Sequence, residues 1–151
     1  MKRLLIIAFA LCTAFAANAQ IAQTQSNESL QQEHIAFIKK LYDDFFINGT
    51  SWDDITPYYI QHCSKQVVQT VKDSYDYDCD DGDCYGWWIF RDMSEDSSGD
   101  IKVIVTHDHD NWYNAKYIDL ETVNVKIRIE GSGDNLKITG LKNSGYEVDV
   151  E

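Results

Sequence analysis

The chain has 151 residues, with 13 lysines and arginines against 25 aspartates and glutamates, and a formal charge of −12 at pH 7. That balance repels phosphate backbones and anionic lipid surfaces, so nucleic acid and membranes are not expected partners, whereas a cationic partner or a metal ion stays open. With 44% hydrophobic and 13% aromatic residues, the chain carries enough apolar surface to fold despite its charge.

Lys2 and Arg3 open the chain, and Leu4 to Ala17 follow as an apolar run interrupted only by Cys12 and Thr13. The run is too short to span a bilayer, and Ala17-Asn18-Ala19 places small residues where a signal peptidase reads. The expectation is export to the periplasm or the extracellular space with cleavage after Ala19. Lipidation at Cys12 is the rival reading, but Leu11 stands where that chemistry wants a small residue. Cleavage of 19 of the 151 residues leaves 132, about one domain with one core. It removes two basic residues and no acidic one, taking the charge from −12 to −14.

Residues 20–28 are polar and aperiodic and read as a flexible leader to a single domain over 29–151. Ser29 with Gln32 forms a capping box, and Ile35, Ile38, Leu41, Tyr42 and Phe45 recur at helical spacing until Asn48-Gly49. Ser51-Trp52-Asp53-Asp54 is a second helix-start signal, but Pro57 allows only a short turn or a kink. A second helix is expected from Ser64 to Tyr75, where Val67, Val68, Val71 and Tyr75 share a face.

Beyond the acidic stretch 73–83 the period changes from 3.6 to 2. Strands are expected at Cys84 to Phe90, Ile101 to Thr106, Trp112 to Ile118, Glu121 to Glu130 and Leu136 to Leu141, the last with a bulge at Gly140. The fourth alternates cleanly, with Val123, Val125, Ile127 and Ile129 on one face. Helices first and then a short-looped meander describe an α+β domain: two N-terminal helices packed on an antiparallel sheet of about five strands.

Cys63, Cys79 and Cys84 survive cleavage, an odd number in a compartment where disulfides persist. Cys79 and Cys84 are separated by four residues that include Gly82, which suits a tight turn, and a loop that small stabilises by about 2 kcal/mol. Cys63 paired to either of them is the alternative. No spacing suggests zinc.

The segments Gln61-His62-Cys63-Ser64, Asp76-Tyr77-Asp78, Tyr85-Gly86-Trp87-Trp88-Ile89-Phe90-Arg91 and Asn111-Trp112-Tyr113 resemble a family of small secreted domains of unknown function, the DUF3828 type. The resemblance implies a cystatin-like, nuclear-transport-factor-2-like cone, in which a curved sheet wraps against helices and can enclose a pocket. It also favours a bond between Cys79 and Cys84, and it carries no assigned activity.

Asp76, Asp78, Asp80, Asp81 and Asp83 are the densest set of hard oxygen ligands and weak candidates for calcium, although their register excludes an EF-hand; a solvated acidic turn is the expected reading. His107 and His109 would face the same way on a strand but sit in a hairpin-turn sequence, Asp108-His109-Asp110-Asn111. Tyr85, Trp87 and Ile89 would share one strand face and Trp88 and Phe90 the other, with Trp112 and Tyr113 nearby. One face would pack under the helices; the other needs a ligand or a homodimer partner to cover it. Arg91 directly follows this apolar run and requires a carboxylate from Glu95, Asp96 or Asp119.

Trp87, Trp88, Arg91, Asp96, Trp112, Tyr113 and Asp119 are therefore the candidate ligand-binding residues. The expected function is an exported, acidic binding or interaction domain for a small molecule or protein, without catalytic residues or a cofactor. Two alternatives stand beside it. One is a cone-fold enzyme with Asp119 or Asp96 as proton-transfer base, as the resemblance implies; the other is an acidic inhibitor or immunity-type protein.

Overall fold

The computed structural model describes residues 26–75, 84–91, 99–143 and 146–149, the last four in backbone only. The chain divides into two compact units, Met1–Glu33 and His34–Glu151, and the second holds the sheet and every helix from His34 onward.

Residues 26–42 are α-helical (α1), so the helix already includes Ser29, expected as its cap, and the end of the expected leader. It runs on into a π-helical stretch, Asp43–Ile47, and stops at Asn48 and Gly49, whose φ of 64° suits glycine. The wider π turn brings two consecutive residues, Phe45 and Phe46, into the core. Helix α2 spans Trp52–Gln61 with Pro57 inside it, longer than the short turn expected. Proline costs the bond to the Asp53 carbonyl, but Asp53 is exposed, so water can satisfy that group. Helix α3 spans Lys65–Asp73; Ser64 caps it, its Oγ accepting from the Val67 N–H at 3.3 Å, and Val67 and Val71 are buried.

The sheet is antiparallel, with strands in chain order: β1 (Lys102–His109), β2 (Trp112–Ile118), β3 (Thr122–Glu130), β4 (Lys137–Asn143) and β5 (Tyr146–Asp149). β1 to β4 fall on four of the expected strands. The first expected strand, Cys84 to Phe90, does not form: Trp87–Phe90 is a 3-10 turn. Trp87, Ile89 and Phe90 are all buried there, an arrangement that strand alternation forbids and a tight turn permits. β5 has no counterpart among the expected strands. The bulge expected at Gly140 falls beside it: Arg128 pairs Gly140 and Ile129 pairs Ile138, leaving Thr139 as the extra residue.

One face of the sheet packs on the helices. Val105, Tyr113, Ala115, Tyr117, Val125, Ile127, Ile129, Ile138 and Leu141 meet Ile38, Leu41, Tyr42, Phe45, Tyr59, Val67 and Val71 in one buried cluster. The other face carries Lys102, Ile104, Lys116, Lys126 and Arg128. No helix among the described residues is long and apolar enough to cross a membrane.

Candidate ligand cleft

A cleft of about 400 Å3 opens between the first two turns of α2 and the two segments that flank residues 76–83. Its α2 wall is Trp52, Asp53, Thr56 and Pro57; the opposite wall is Tyr75, Cys84 and Tyr85. The volume lies in the range of small-molecule sites.

Each wall has a local cause. The Phe45 carbonyl, in the π turn, accepts the Trp52 indole N–H at 3.0 Å, which fixes Trp52 at the start of α2. Thr56, one turn on, accepts the indole N–H of the fully buried Trp87 at 2.8 Å. On the other side Ser74 joins two segments: its Oγ lies 2.9 Å from the carbonyls of Val71 and Gly86, and its own carbonyl accepts from Trp88 Nε1 at 2.9 Å. Gly86 N–H donates to the Val71 carbonyl at 2.7 Å, so close that a Cβ on Gly86 would lie 2.4 Å from Ser74 Oγ. Trp88 bridges the two walls, tilted against Trp52 at 5.8 Å and stacked with Tyr75 at 5.4 Å. Trp52, Tyr75, Tyr85 and Trp88 are all half-buried, which leaves ring surface accessible.

The polar inventory is lopsided. The indole N–H groups of Trp52 and Trp88 are taken by backbone carbonyls, so these side chains offer ring faces rather than donors. Asp53 contributes a carboxylate, placed in the first turn of α2 where the helix dipole favours it. Among the described residues no lysine or arginine lines the cleft, although the Lys72 ammonium sits 5.2 Å from the Tyr85 ring centroid.

Of the seven candidate residues from the sequence, the six that are described do not converge. Trp87 is in the core, stacked on Phe45 at 4.4 Å, and Trp88 adjoins the cleft. Trp112 lies at the far end of β2 under the Lys142 ammonium, 5.0 Å from the ring. Its neighbour Tyr113 points to the core, where its hydroxyl meets His34 Nδ1 at 2.9 Å while His34 Nε2 donates to the Gly131 carbonyl at 2.8 Å. Asp96 lies outside the described residues, as do Glu95, Cys79 and the calcium candidates Asp76, Asp78, Asp80, Asp81 and Asp83. Among the described residues no three His, Cys, Asp or Glu side chains gather as a metal would need.

Arg91 and Asp119 both contact Tyr117. The Arg91 guanidinium sits over the Phe46 ring at 5.3 Å and hydrogen-bonds Tyr117, whose hydroxyl reaches the Asp119 carboxylate at 3.4 Å. Burial raises the Tyr117 pKa and Arg91 opposes it. Among the described residues the strongly shifted groups are core groups: burial pushes Tyr42 and Tyr59 far up, with the Asp44 hydrogen bond adding to Tyr59, and lifts the Cys63 thiol to about 12. Cys63 is a buried free thiol and so not the partner of either other cysteine. His107 and His109 are split by a bulge, so His107 pairs Tyr113 on the core side and His109 pairs Trp112 on the outer side.

Sequence reading passed over Trp52, Asp53, Tyr75 and the cleft role of Tyr85. The one signal in the chain was that Tyr75 and Cys84-Tyr85 bracket the acidic stretch. No family model, no curated protein and no solved structure matches the chain.

Proposed function

We propose that the chain is an exported, acidic, non-catalytic binding domain whose ligand site is the cleft between α2 and Tyr75, Cys84 and Tyr85. The carrying observation is the accessible aromatic surface of Trp52, Tyr75 and Tyr85 around about 400 Å3 of open space. The helix-side face of the sheet is filled by core side chains, so the binding surface moves from that face to the cleft. Among the described residues the groups with strongly perturbed titration lie in the core, which favours binding over acid-base chemistry.

Export with cleavage after Ala19, membership of the DUF3828-type family with its cone fold, and a bond between Cys79 and Cys84 belong to the same proposal. Helices preceding a sequential antiparallel sheet support the cone. The Tyr117 to Asp119 contact favours the enzyme reading as the alternative, with Asp119 as base.

A fragment library of neutral, cationic, anionic and saccharide compounds, followed by amide chemical shifts, tests the choice. Shifts clustering at 52–57, 75 and 84–88 are expected. Clustering around Arg91, Tyr117 and Asp119 would favour the enzyme, and the absence of any cluster would remove both readings.

A further inference from the structure

Resting on the cleft as the ligand site, we infer that it takes a small organic cation of the alkylammonium type. A ligand rich in acceptors, such as a carboxylate or phosphate, needs donors or positive charge from the walls. The two tryptophan N–H groups bordering the cleft are consumed by the Phe45 and Ser74 carbonyls, the other side-chain N–H and O–H donors among the named lining residues are the neutral hydroxyls of Thr56, Tyr75 and Tyr85, and no cationic side chain among the described residues lines it. What the walls offer instead is π surface from Trp52, Tyr75 and Tyr85 and the carboxylate of Asp53. Ring faces attract cations through the ring quadrupole, and most strongly where water is partly excluded.

Tyr85 already holds an ammonium: Lys72 lies 5.2 Å from its centroid. That lysine adds one positive charge near the cleft, against which stand Asp53 in the lining and Asp54 and Asp73 next to lining segments in sequence. The whole chain is strongly acidic as well, at −12, so the field around the opening concentrates cations over anions. A neutral sugar would also stack on the rings, but it gains nothing from the carboxylate's charge, and this difference makes the inference testable.

The experiment uses choline and its neutral carbon isostere 3,3-dimethyl-1-butanol, with cellobiose as the saccharide control. Tryptophan fluorescence and amide shifts of the full mature chain are followed. Choline is expected to bind at least about fivefold more tightly than the isostere, and added salt is expected to weaken choline alone. Asp53→Asn should remove most of that preference while sparing the isostere, and Trp52→Leu should weaken both; circular dichroism checks that each variant folds. Equal binding of choline and the isostere, or no choline binding at all, overturns the inference. Binding of cellobiose or the isostere at the cleft without choline would reject the cation and leave the cleft standing as the ligand site.

Discussion

Thr56→Val is a near-isosteric change at the contact that ties α2 to the core. Thr56 Oγ1 accepts the Trp87 indole N–H at 2.8 Å; Thr56 is 8% exposed and Trp87 is 0% exposed, so water cannot replace the lost acceptor. Threonine and valine are both β-branched and have similar helix propensity, which removes the backbone as an explanation. An orphaned buried donor costs about 1–3 kcal/mol. For a chain of this size each kcal/mol corresponds to roughly 3–5 °C in Tm. Urea denaturation followed by far-ultraviolet circular dichroism should show a lower midpoint at unchanged slope. Trp87→Phe supplies the control: it removes the donor, so adding Thr56→Val in that background should cost close to nothing. A cost below about 0.5 kcal/mol in the parent, or an equal cost in both backgrounds, would refute the reasoning.

Three further outcomes are expected. Tyr42, Tyr59, Tyr113 and Tyr117 have folded pKa values raised by burial, so their stabilising contribution is complete below the unfolded value near 10 and declines at higher pH. Phenolate absorbance should therefore rise in two phases, the second coinciding with loss of secondary structure; one reversible phase for all nine tyrosines would contradict this. Cys63, buried and with its thiol pushed up to about 12, should resist a thiol reagent at neutral pH until urea unfolds the chain, and rapid native labelling of Cys63 would show the site open. Gly86→Ala should lower stability by about 2 kcal/mol or more, because the new methyl meets the Ser74 backbone as well as its hydroxyl, and a variant as stable as the parent would mean that segment yields freely.

What the sequence made readable was whatever repeats. Val123 to Ile129 alternates, and β3 lies there; Val67 and Val71 share a helical stripe, and α3 buries both. The Trp87 to Phe90 run could not be read in this way, because four large apolar residues in a row carry no period and fit a buried strand or a tight turn equally well. Gly86, held against Val71 and Ser74, decides for the turn. Pro57 misled in the other direction, since Asp53, whose carbonyl it deprives, is an exposed residue. The cleft was hidden for a different reason: Trp52, Tyr75 and Tyr85 come from three segments, and no spacing along the chain announces that Ser74 and the Phe45 carbonyl hold them around one space.

The π turn at Asp43–Ile47 can also be seen as an α-helix carrying one residue too many. Deleting one residue there would let the helix wind regularly, with the chain that follows kept near its present phase, but the carbonyls of the wide turn would be re-aimed. The Phe45 carbonyl would then no longer be aimed at the Trp52 indole, which would lose its anchor. The segment is thus a place where substitutions that keep its apolar face can be absorbed but a change in length cannot, and the penalty for shortening it would surface first in the geometry of α2.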